Sequence, residues 1–338
     1  MFRFIALKRQ ESCFLVLAPL DAVNAIKVSD QKGQLLNLIE VIQQASHQQV
    51  SLQHWCQQYW DANSHKASSL KELLSTATPA PLFPEQSRSH LLVTGTGLTH
   101  LGSQNARNSM HTAETIDETD SAKMFRWGVE GGKPEEGQRG VAPEWFYKGD
   151  ASILKQTGQT LAIPEFAPDG GEEPEMASLY WNDAQGEPHH LGFALGNEWS
   201  DHQTEKQNYL YLAPSKLREC SIGSELLVGH PFQELQVQCT VTRDEQVIYN
   251  SGELLTGEQH MCHSLANCED HHFKHAQHRQ AGQCHVHFLG TSQLSFSSRD
   301  WEYQQGDQLK ITSPQFVLPL VNVVERIAMN EHPIRVKR

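Results

Sequence analysis

The sequence contains no apolar run long enough to cross a membrane, and it is poor in basic residues. A bilayer requires about 20 consecutive apolar residues, whereas the run from Cys13 to Leu20 is short and contains a proline. There are 27 Lys and Arg residues against 40 Asp and Glu residues, so the formal net charge is −13. An acidic surface repels phosphate backbones, which excludes nucleic acid as a partner.

The sequence also lacks a secretion signal and a disulfide framework. Met1-Phe2-Arg3-Phe4 does not lead into the apolar segment and small-residue cleavage site of a signal peptide. The seven cysteines are odd in number and show no compact spacing, which is typical of free thiols in a reducing compartment. We therefore expect a soluble, cytoplasmic protein that binds neither membrane nor nucleic acid.

A glycine motif for nucleotide binding is missing as well. Gly95-Thr96-Gly97 would require a further glycine at the position of His100. Gly102-Ser103 is not joined to the Lys-Ser or Lys-Thr pair that cradles a phosphate. These absences exclude a dinucleotide site and a P-loop.

The sequence does contain many short apolar segments separated by Gly, Pro, Asn and Asp, which predicts a β-rich core. Helical spacing occurs at residues 35–45, with a second helix at 52–59 that Ser51 caps, and at 265–278. The predicted strands include residues 2–4, 14–17, 178–181, 226–228, 235–242, 285–289 and 308–311. We predict an α+β protein with a small α/β N-terminal domain, residues 1–80, a proline-containing linker near residues 76–81, and a β-rich domain over residues 81–338.

Glu173 and Glu175 follow a Gly-Gly turn and are separated by one residue. Residues two apart on a strand face the same side, with Cα atoms roughly 6.6 Å apart. Two close carboxylates repel by roughly 4 kcal/mol at an effective dielectric of about 20, and a cation removes that cost. Oxygen ligands favour Mg²⁺ or Mn²⁺. The alternative interpretation is a solvated acidic turn.

Two further segments carry candidate site residues. Glu198 follows the apolar run Phe193–Asn197, although by itself it is equally compatible with a strand that ends in a polar turn. Lys216 has the charge needed to neutralise a substrate carboxylate or polarise a carbonyl. Most lysines, however, are solvated surface residues.

Taken in this order, the three segments resemble the fumarylacetoacetate hydrolase superfamily. That family has a Glu-x-Glu pair on a strand, then an acidic residue in an Asn-Asp-x-Ser segment, then a lysine before a glycine-containing loop. The resemblance covers about residues 90–325. The matching segments are 143–148, 173–175, 197–200, Lys216 with 221–223, 290–291 and 306–307.

The resemblance implies one Mg²⁺ or Mn²⁺ ion on Glu173, Glu175 and Glu198. It also implies a mixed β-sandwich roll, a small N-terminal domain and a homodimer. The third ligand of the family is usually aspartate, so Glu198 is a departure. Residues 95–103, 123–128 and 263–267 resemble one branch of the family, which is associated with bacterial L-arabinose breakdown and with 2-keto-3-deoxy-pentonates.

The resemblance further implies catalytic roles for two lysines and two histidines. Lys148 and Lys216 would neutralise substrate charge. A His-x-x-Glu pair handles protons in family hydrolases, and His111 and Glu114 have that spacing, which would place them on one helix face. His100 is the competing base, with a structural role as its alternative.

The resulting hypothesis is dehydration of a small 2-oxo acid, a 2-keto-3-deoxy-pentonate of the L-arabonate type, through a metal-bound enolate. The first alternative is hydrolytic cleavage of a C–C bond in an acylpyruvate or diketo sugar acid, because both reactions share the enolate. The second alternative is a non-catalytic protein that binds a metal or a sugar acid.

Histidines and cysteines are concentrated between Cys262 and His287. A zinc site is one interpretation, because His271 and His275 would share a helix face. The spacing fits no common zinc pattern, and much of the segment falls within the resemblance. The other interpretation is therefore ordinary scaffold.

Overall fold

The computed structural model describes residues 1–102, 119–328 and 333–337. Two β-sheets form the framework, one of 13 strands and one of six. Strands β1 to β19 are, in chain order, Phe2–Arg9, Ser12–Pro19, Asn24–Lys27, Ser68–Ser69, Thr78–Pro79, Leu91–Gly97, Glu144–Asp150, Leu154–Gln156, Thr160–Pro164, Pro174–Asn182, Pro188–Asn197, Cys220–Ile222, Glu225–Val228, Leu235–Arg243, Gln246–Asn250, Leu254–Thr256, Cys284–Phe288, Gln308–Thr312 and Leu320–Ile327.

The described helices are short, between 5 and 12 residues long. Helices α1 to α7 are Leu38–His47, Leu52–Asn63, Leu70–Ser75, Asp120–Gly131, His202–Gln207, Leu212–Lys216 and Leu265–Phe273. Among the described residues, no helix has the length and apolar character needed to cross a bilayer.

The larger sheet has the order β4-β3-β2-β1-β13-β11-β10-β17-β6-β7, and the smaller sheet has the order β15-β14-β18-β19-β9. Most neighbouring strands are antiparallel, but β17 pairs with β6 in parallel, as β19 does with β9. The predicted α+β class with mixed sheets is therefore confirmed.

Strand β11 shows how the sheets pack. Side chains alternate between the two faces of a strand, and here both faces are covered. Phe193 and Leu195 point into a core shared with Val237 and Ile311 of the smaller sheet. Ala194 lies in a second core on the opposite face, with α1 and α2. The central strands are therefore apolar on both faces and form the middle layer.

The N-terminal helices begin at side-chain caps. The Asn37 side chain accepts a hydrogen bond from the Glu40 backbone, and the Glu40 carboxylate accepts one from the Asn37 backbone. Ser51 caps α2, as predicted. Helix α7 ends at Phe273, earlier than predicted, and a separate 3-10 turn covers Ala276–His278.

The N-terminal strands belong to the larger sheet. Strand β1 pairs with β13, with Phe2 opposite Val228. The segment predicted as a linker contains β5, which pairs with β1 through Thr78 and Lys8. One apolar core holds residues from both sides of residue 80. The division into two domains at this residue stays a prediction.

All seven cysteines lie within the described residues and are free thiols. Cys13 is exposed, and the other six are buried. This agrees with the interpretation of the cysteines as unpaired.

Several histidines are buried in the interior near β17. The Trp145 indole donates to Nδ1 of His272 at 3.3 Å, and Nε2 of His272 lies 3.0 Å from Nδ1 of His285. Nδ1 of His287 lies 2.8 Å from the Thr94 hydroxyl. Burial, reinforced by neighbouring imidazoles, lowers the pKa of His285 and of His287 to about 3. These side chains are therefore neutral in the folded protein.

Acid should destabilise the fold through these histidines. Their folded pKa lies below the unfolded value of about 6.5, so their contribution is present above that pH and is lost as the pH falls towards about 3. Each such group changes the free energy of unfolding by up to about 1.4 kcal/mol per pH unit. Urea unfolding should show that the free energy of unfolding falls steeply between pH 7 and 5. His287→Gln should reduce the slope of this fall with pH by the equivalent of about one proton. The exposed His65→Gln is the control, and equal slopes in all three proteins would contradict the interpretation.

Candidate metal centre

The three predicted ligands come together where β10 and β11 pair. Glu175 lies in β10, Glu173 directly precedes this strand, and Glu198 directly follows β11. The antiparallel register sets Glu175 opposite Gly196. The Glu198 N–H donates to the Glu173 carbonyl at 3.1 Å, which ties the two strand ends together.

The three carboxylates converge on one point in the interior. One oxygen from each of Glu173, Glu175 and Glu198 lies within 4.8 Å of the other two. The exposed fractions of these residues are 7%, 2% and 0%. The alternative of a solvated acidic turn is therefore wrong, because the turn residues lead directly into a buried strand.

Two buried lysines neutralise part of this negative charge. The Lys216 ammonium donates to Glu173 Oε1 at 2.5 Å and to Glu198 Oε2 at 2.6 Å. The Lys148 ammonium donates to Glu198 Oε1, to the Trp199 carbonyl at 2.6 Å and to the Lys216 carbonyl at 3.0 Å. An ammonium has three N–H donors, so those of Lys148 are all used within the protein.

The pKa values reflect burial and mutual charge. Burial, followed by the charges of Glu173 and Glu198, raises the pKa of Glu175 well above its usual range. Burial also acts on Glu173, but Lys216 and His202 outweigh it and hold the pKa of Glu173 well below its usual range. Burial opposes the charged form of Lys216, yet Glu173 and Glu198 raise its pKa well above the usual value.

The arrangement fits a hard divalent cation. The Gly290 N–H donates to Oε2 of Glu175 at 2.7 Å, whereas Oε1 accepts no hydrogen bond from the part of the chain that the structure describes. A group of three carboxylate oxygens suits Mg²⁺ or Mn²⁺ and not a thiol-binding metal. A cation would also remove the repulsion that raises the pKa of Glu175.

A pocket of about 100 Å³ opens beside the carboxylates. Glu173 and Lys216 line it, together with residues 290–294 and Phe296. Lys148 is not among the described residues that line the pocket. Of the two predicted lysines, Lys216 is thus the one that a bound molecule would meet.

His202 contacts the same carboxylate as Lys216. Its Nε2 donates to Glu173 Oε1 at 3.0 Å, and its ring lies 5.3 Å from that of Phe296. A Cβ at Gly171 would approach Nδ1 of His202 to 2.2 Å. The second glycine of the Gly-Gly turn therefore makes room for this ring, and the sequence alone did not reveal the contact.

Glu144 is a second pocket residue that the sequence reasoning missed. It is 4% exposed, lines the pocket, and accepts a hydrogen bond of 2.7 Å from the Tyr209 hydroxyl. A Cβ at Gly97 would come within 1.8 Å of its Oε1. The alternation of Glu144, Phe146 and Lys148 along β7 is the pattern that could have indicated a carboxylate facing the site.

Of the residues predicted to transfer protons, the structure describes His100. His111 and Glu114 lie outside the described residues. His100 is fully buried, with Nδ1 3.0 Å from the Thr99 hydroxyl and Nε2 2.8 Å from the Thr256 hydroxyl. Burial, followed by the charge of His260, lowers the pKa of His100 to about 3. These contacts agree with the structural alternative stated for this residue.

Within the described ranges, the three glutamates form the single group of side chains with metal-ligand geometry. The histidines and cysteines between Cys262 and His287 form no such group there. Their packing around Trp145 and Phe273 instead agrees with the scaffold interpretation.

Solved structures of similar fold cover nearly the whole chain. A 2-keto-3-deoxyarabinonate dehydratase has a TM-score of 0.64 at 16% identity, covering 97% of this chain and 100% of that chain. The chain has the fold of this dehydratase. A 2-keto-3-deoxy-D-arabinonate dehydratase complexed with magnesium and 2,5-dioxopentanoate has a TM-score of 0.61 at 16% identity and the same coverage. The 5-carboxymethyl-2-hydroxymuconate delta-isomerase from Mycobacterium smegmatis has a TM-score of 0.54 at 11% identity, with 97% and 100% covered.

A sequence relative was also found for part of the chain. A protein of Haloferax volcanii described as a probable 2-keto-3-deoxyxylonate dehydratase is 27% identical over 175 residues, which is 50% of this chain. The match spans 56% of that relative's length. No family model matches the chain.

Removing Lys148 should destabilise the protein strongly. Lys148→Met leaves Glu198 buried with one ammonium fewer, and breaking a buried ion pair costs about 3–5 kcal/mol. The matched control is Lys155→Met, in a pair with Glu219 where both side chains are about a quarter exposed. Such a pair is worth about 1 kcal/mol or less. Urea unfolding measures both, and equal losses would contradict the role assigned to Lys148.

Proposed function

We propose that this chain is a metal-dependent dehydratase of the fumarylacetoacetate hydrolase superfamily that acts on a 2-keto-3-deoxy-pentonate. The observation that carries the proposal is the buried group of three glutamates beside a pocket that Lys216 also lines. The dehydratase fold supports it, because one similar structure holds magnesium and 2,5-dioxopentanoate.

The metal would be Mg²⁺ or Mn²⁺, held by Glu173, Glu175 and Glu198. When bound, it supplies Lewis-acid stabilisation of negative charge on the 2-keto oxygen of the substrate. The remaining chemistry would belong to the side chains that line the pocket.

Lys216 and Glu144 are the pocket residues to which we assign the main roles. Lys216 lines the pocket, and its ammonium would balance charge on the substrate. Glu144 would remove the C3 proton and return it to the C4 hydroxyl, which leaves as water, and the 5-hydroxy-3-enoate left behind tautomerises to 2,5-dioxopentanoate. The Tyr209 hydroxyl orients the Glu144 carboxylate by its hydrogen bond. His111 and Glu114 are retained as a second candidate pair for proton transfer.

The reaction can be tested by product identification. The purified protein would be incubated with Mg²⁺ and a panel of 2-keto-3-deoxy sugar acids, and the products identified by NMR. Dehydration of a pentonate yields 2,5-dioxopentanoate, whereas C–C hydrolysis of an acylpyruvate yields pyruvate or oxalate with a second acid. No turnover of any compound would favour the non-catalytic binding protein.

Replacing one ligand tests the metal centre. Glu175→Gln keeps the side-chain volume but removes a negative charge from the site, so turnover should fall at least about 100-fold through the loss of metal-borne charge stabilisation. The steady-state rate with saturating Mg²⁺ is the measurement. Unfolding in urea should show that the variant stays folded, because Glu175 is the carboxylate whose charge is least favoured. Unchanged turnover would exclude this metal centre.

Glu144→Gln tests the base. The variant keeps a side chain that can pair with Tyr209 but cannot accept the C3 proton, so kcat should fall about 100-fold or more. Binding of Mn²⁺ should not change, because Glu144 is not one of the three ligands. A kcat close to that of the unmodified protein would assign the base to another group, with His111→Gln as the next variant.

We also propose a cytoplasmic homodimer, which the family resemblance implies. Light scattering on the purified protein would give its mass in solution, and a monomer would contradict this part of the proposal.

A further inference from the structure

Lys216 occupies the position between two of the three carboxylates. Its ammonium contacts Glu173 Oε1 at 2.5 Å and Glu198 Oε2 at 2.6 Å. It also lies 3.2 Å from the Ser200 hydroxyl and 4.8 Å from the centre of the Phe146 ring. The residue is only 3% exposed, so its charge acts on these oxygens with little screening by solvent.

The hydrogen bonds divide the carboxylates into two kinds. Both oxygens of Glu198 accept from an ammonium, Oε1 from Lys148 and Oε2 from Lys216. Glu173 Oε1 accepts from both Lys216 and His202. Glu175, in contrast, accepts from the Gly290 backbone and from no ammonium of the described chain. Two of the three proposed ligands are therefore already paired with positive charge.

We infer that Lys216 sets the metal affinity of the site by competing with the metal for Glu173 and Glu198. This inference rests on the proposed metal centre. A divalent cation that binds the same carboxylates comes close to the Lys216 ammonium, and two like charges in a buried site repel strongly. The ammonium must therefore give up part of its contact with these oxygens when the metal binds.

The position of Lys216 allows that adjustment. Lys216 is the last residue of α6 and lines the pocket, so an ammonium that leaves Glu173 can move towards a bound anion. The Lys148 ammonium, by contrast, is held by three acceptors, one of which is the Lys216 carbonyl. Lys148 thus holds the backbone of Lys216 in place while the Lys216 side chain is the part that responds.

The inference predicts an unusual direction for a substitution in a metal site. Lys216→Met removes the competing charge, so Mn²⁺ should bind at least about ten-fold more tightly than to the unmodified protein. Binding would be measured without substrate, by electron paramagnetic resonance of free Mn²⁺ in a titration. A residue with a merely structural role would weaken Mn²⁺ binding when removed, or leave it unchanged.

Lys206→Met is the matched control. Lys206 lines the same pocket, but it is exposed and its ammonium lies 5.8 Å from the centre of the Phe296 ring. Solvent screens a charge of this kind, so Mn²⁺ affinity should change less than about two-fold. A ten-fold gain in both variants would show a general effect of pocket charge and would overturn the specific role of Lys216.

The remaining outcomes are also decisive. Lys216→Met leaves carboxylates less compensated, so the variant should unfold at a lower temperature without metal and recover with Mn²⁺. If it does not fold at all, Lys216→Gln keeps hydrogen-bond donors without the charge and should show the same gain in affinity. Equal or weaker Mn²⁺ binding by the folded variant would overturn the inference alone. Absence of Mn²⁺ binding by the unmodified protein would overturn the proposed metal centre, and the inference with it.

Discussion

Three carboxylates that converge in the interior must have their charge compensated, and much of the surrounding structure meets that requirement. Burial of an ionised carboxylate is costly unless opposite charges and hydrogen bonds surround it. Lys148 and Lys216 provide the charges, while Ser200 and the Gly290 backbone add further hydrogen bonds. Glu175 has no ammonium partner among the described residues, so a cation would relieve the repulsion that Glu173 and Glu198 exert on it.

The framework brings these groups together from distant parts of the chain. Strand β10 and the residues at the ends of β10 and β11 supply the ligands, β7 supplies Lys148, and α6 supplies Lys216. The pocket wall is joined to the same centre through Glu172, whose carboxylate accepts from the Ser295 backbone at 2.6 Å and from the Ser295 hydroxyl at 2.8 Å. Metal ligands and pocket wall are consequently parts of one hydrogen-bonded unit.

The alternation of charged and apolar residues made part of the metal centre predictable from the sequence. Glu173 and Glu175 could be assigned to one site because residues two apart on a strand share a face. Lys216 was identified as the lysine that precedes a glycine-containing loop, and its burial was not visible in the sequence. Glu144 and His202 were missed. Glu144 reaches the pocket through the pairing of β7 with β6, and His202 reaches it through the packing of its ring against Gly171.

The sequence by itself determined the α+β class, the short strands and the two-residue spacing of the first glutamates, because these follow from local periodicity. The tertiary structure decided which charges share a site. It separated Lys148, enclosed by Glu198 and two carbonyls, from Lys216, which faces the pocket. Such contacts join residues that are far apart in the chain. Strand register and burial determine them, because the spacing of residues along the sequence does not tell which residues of different strands lie close together in a sheet.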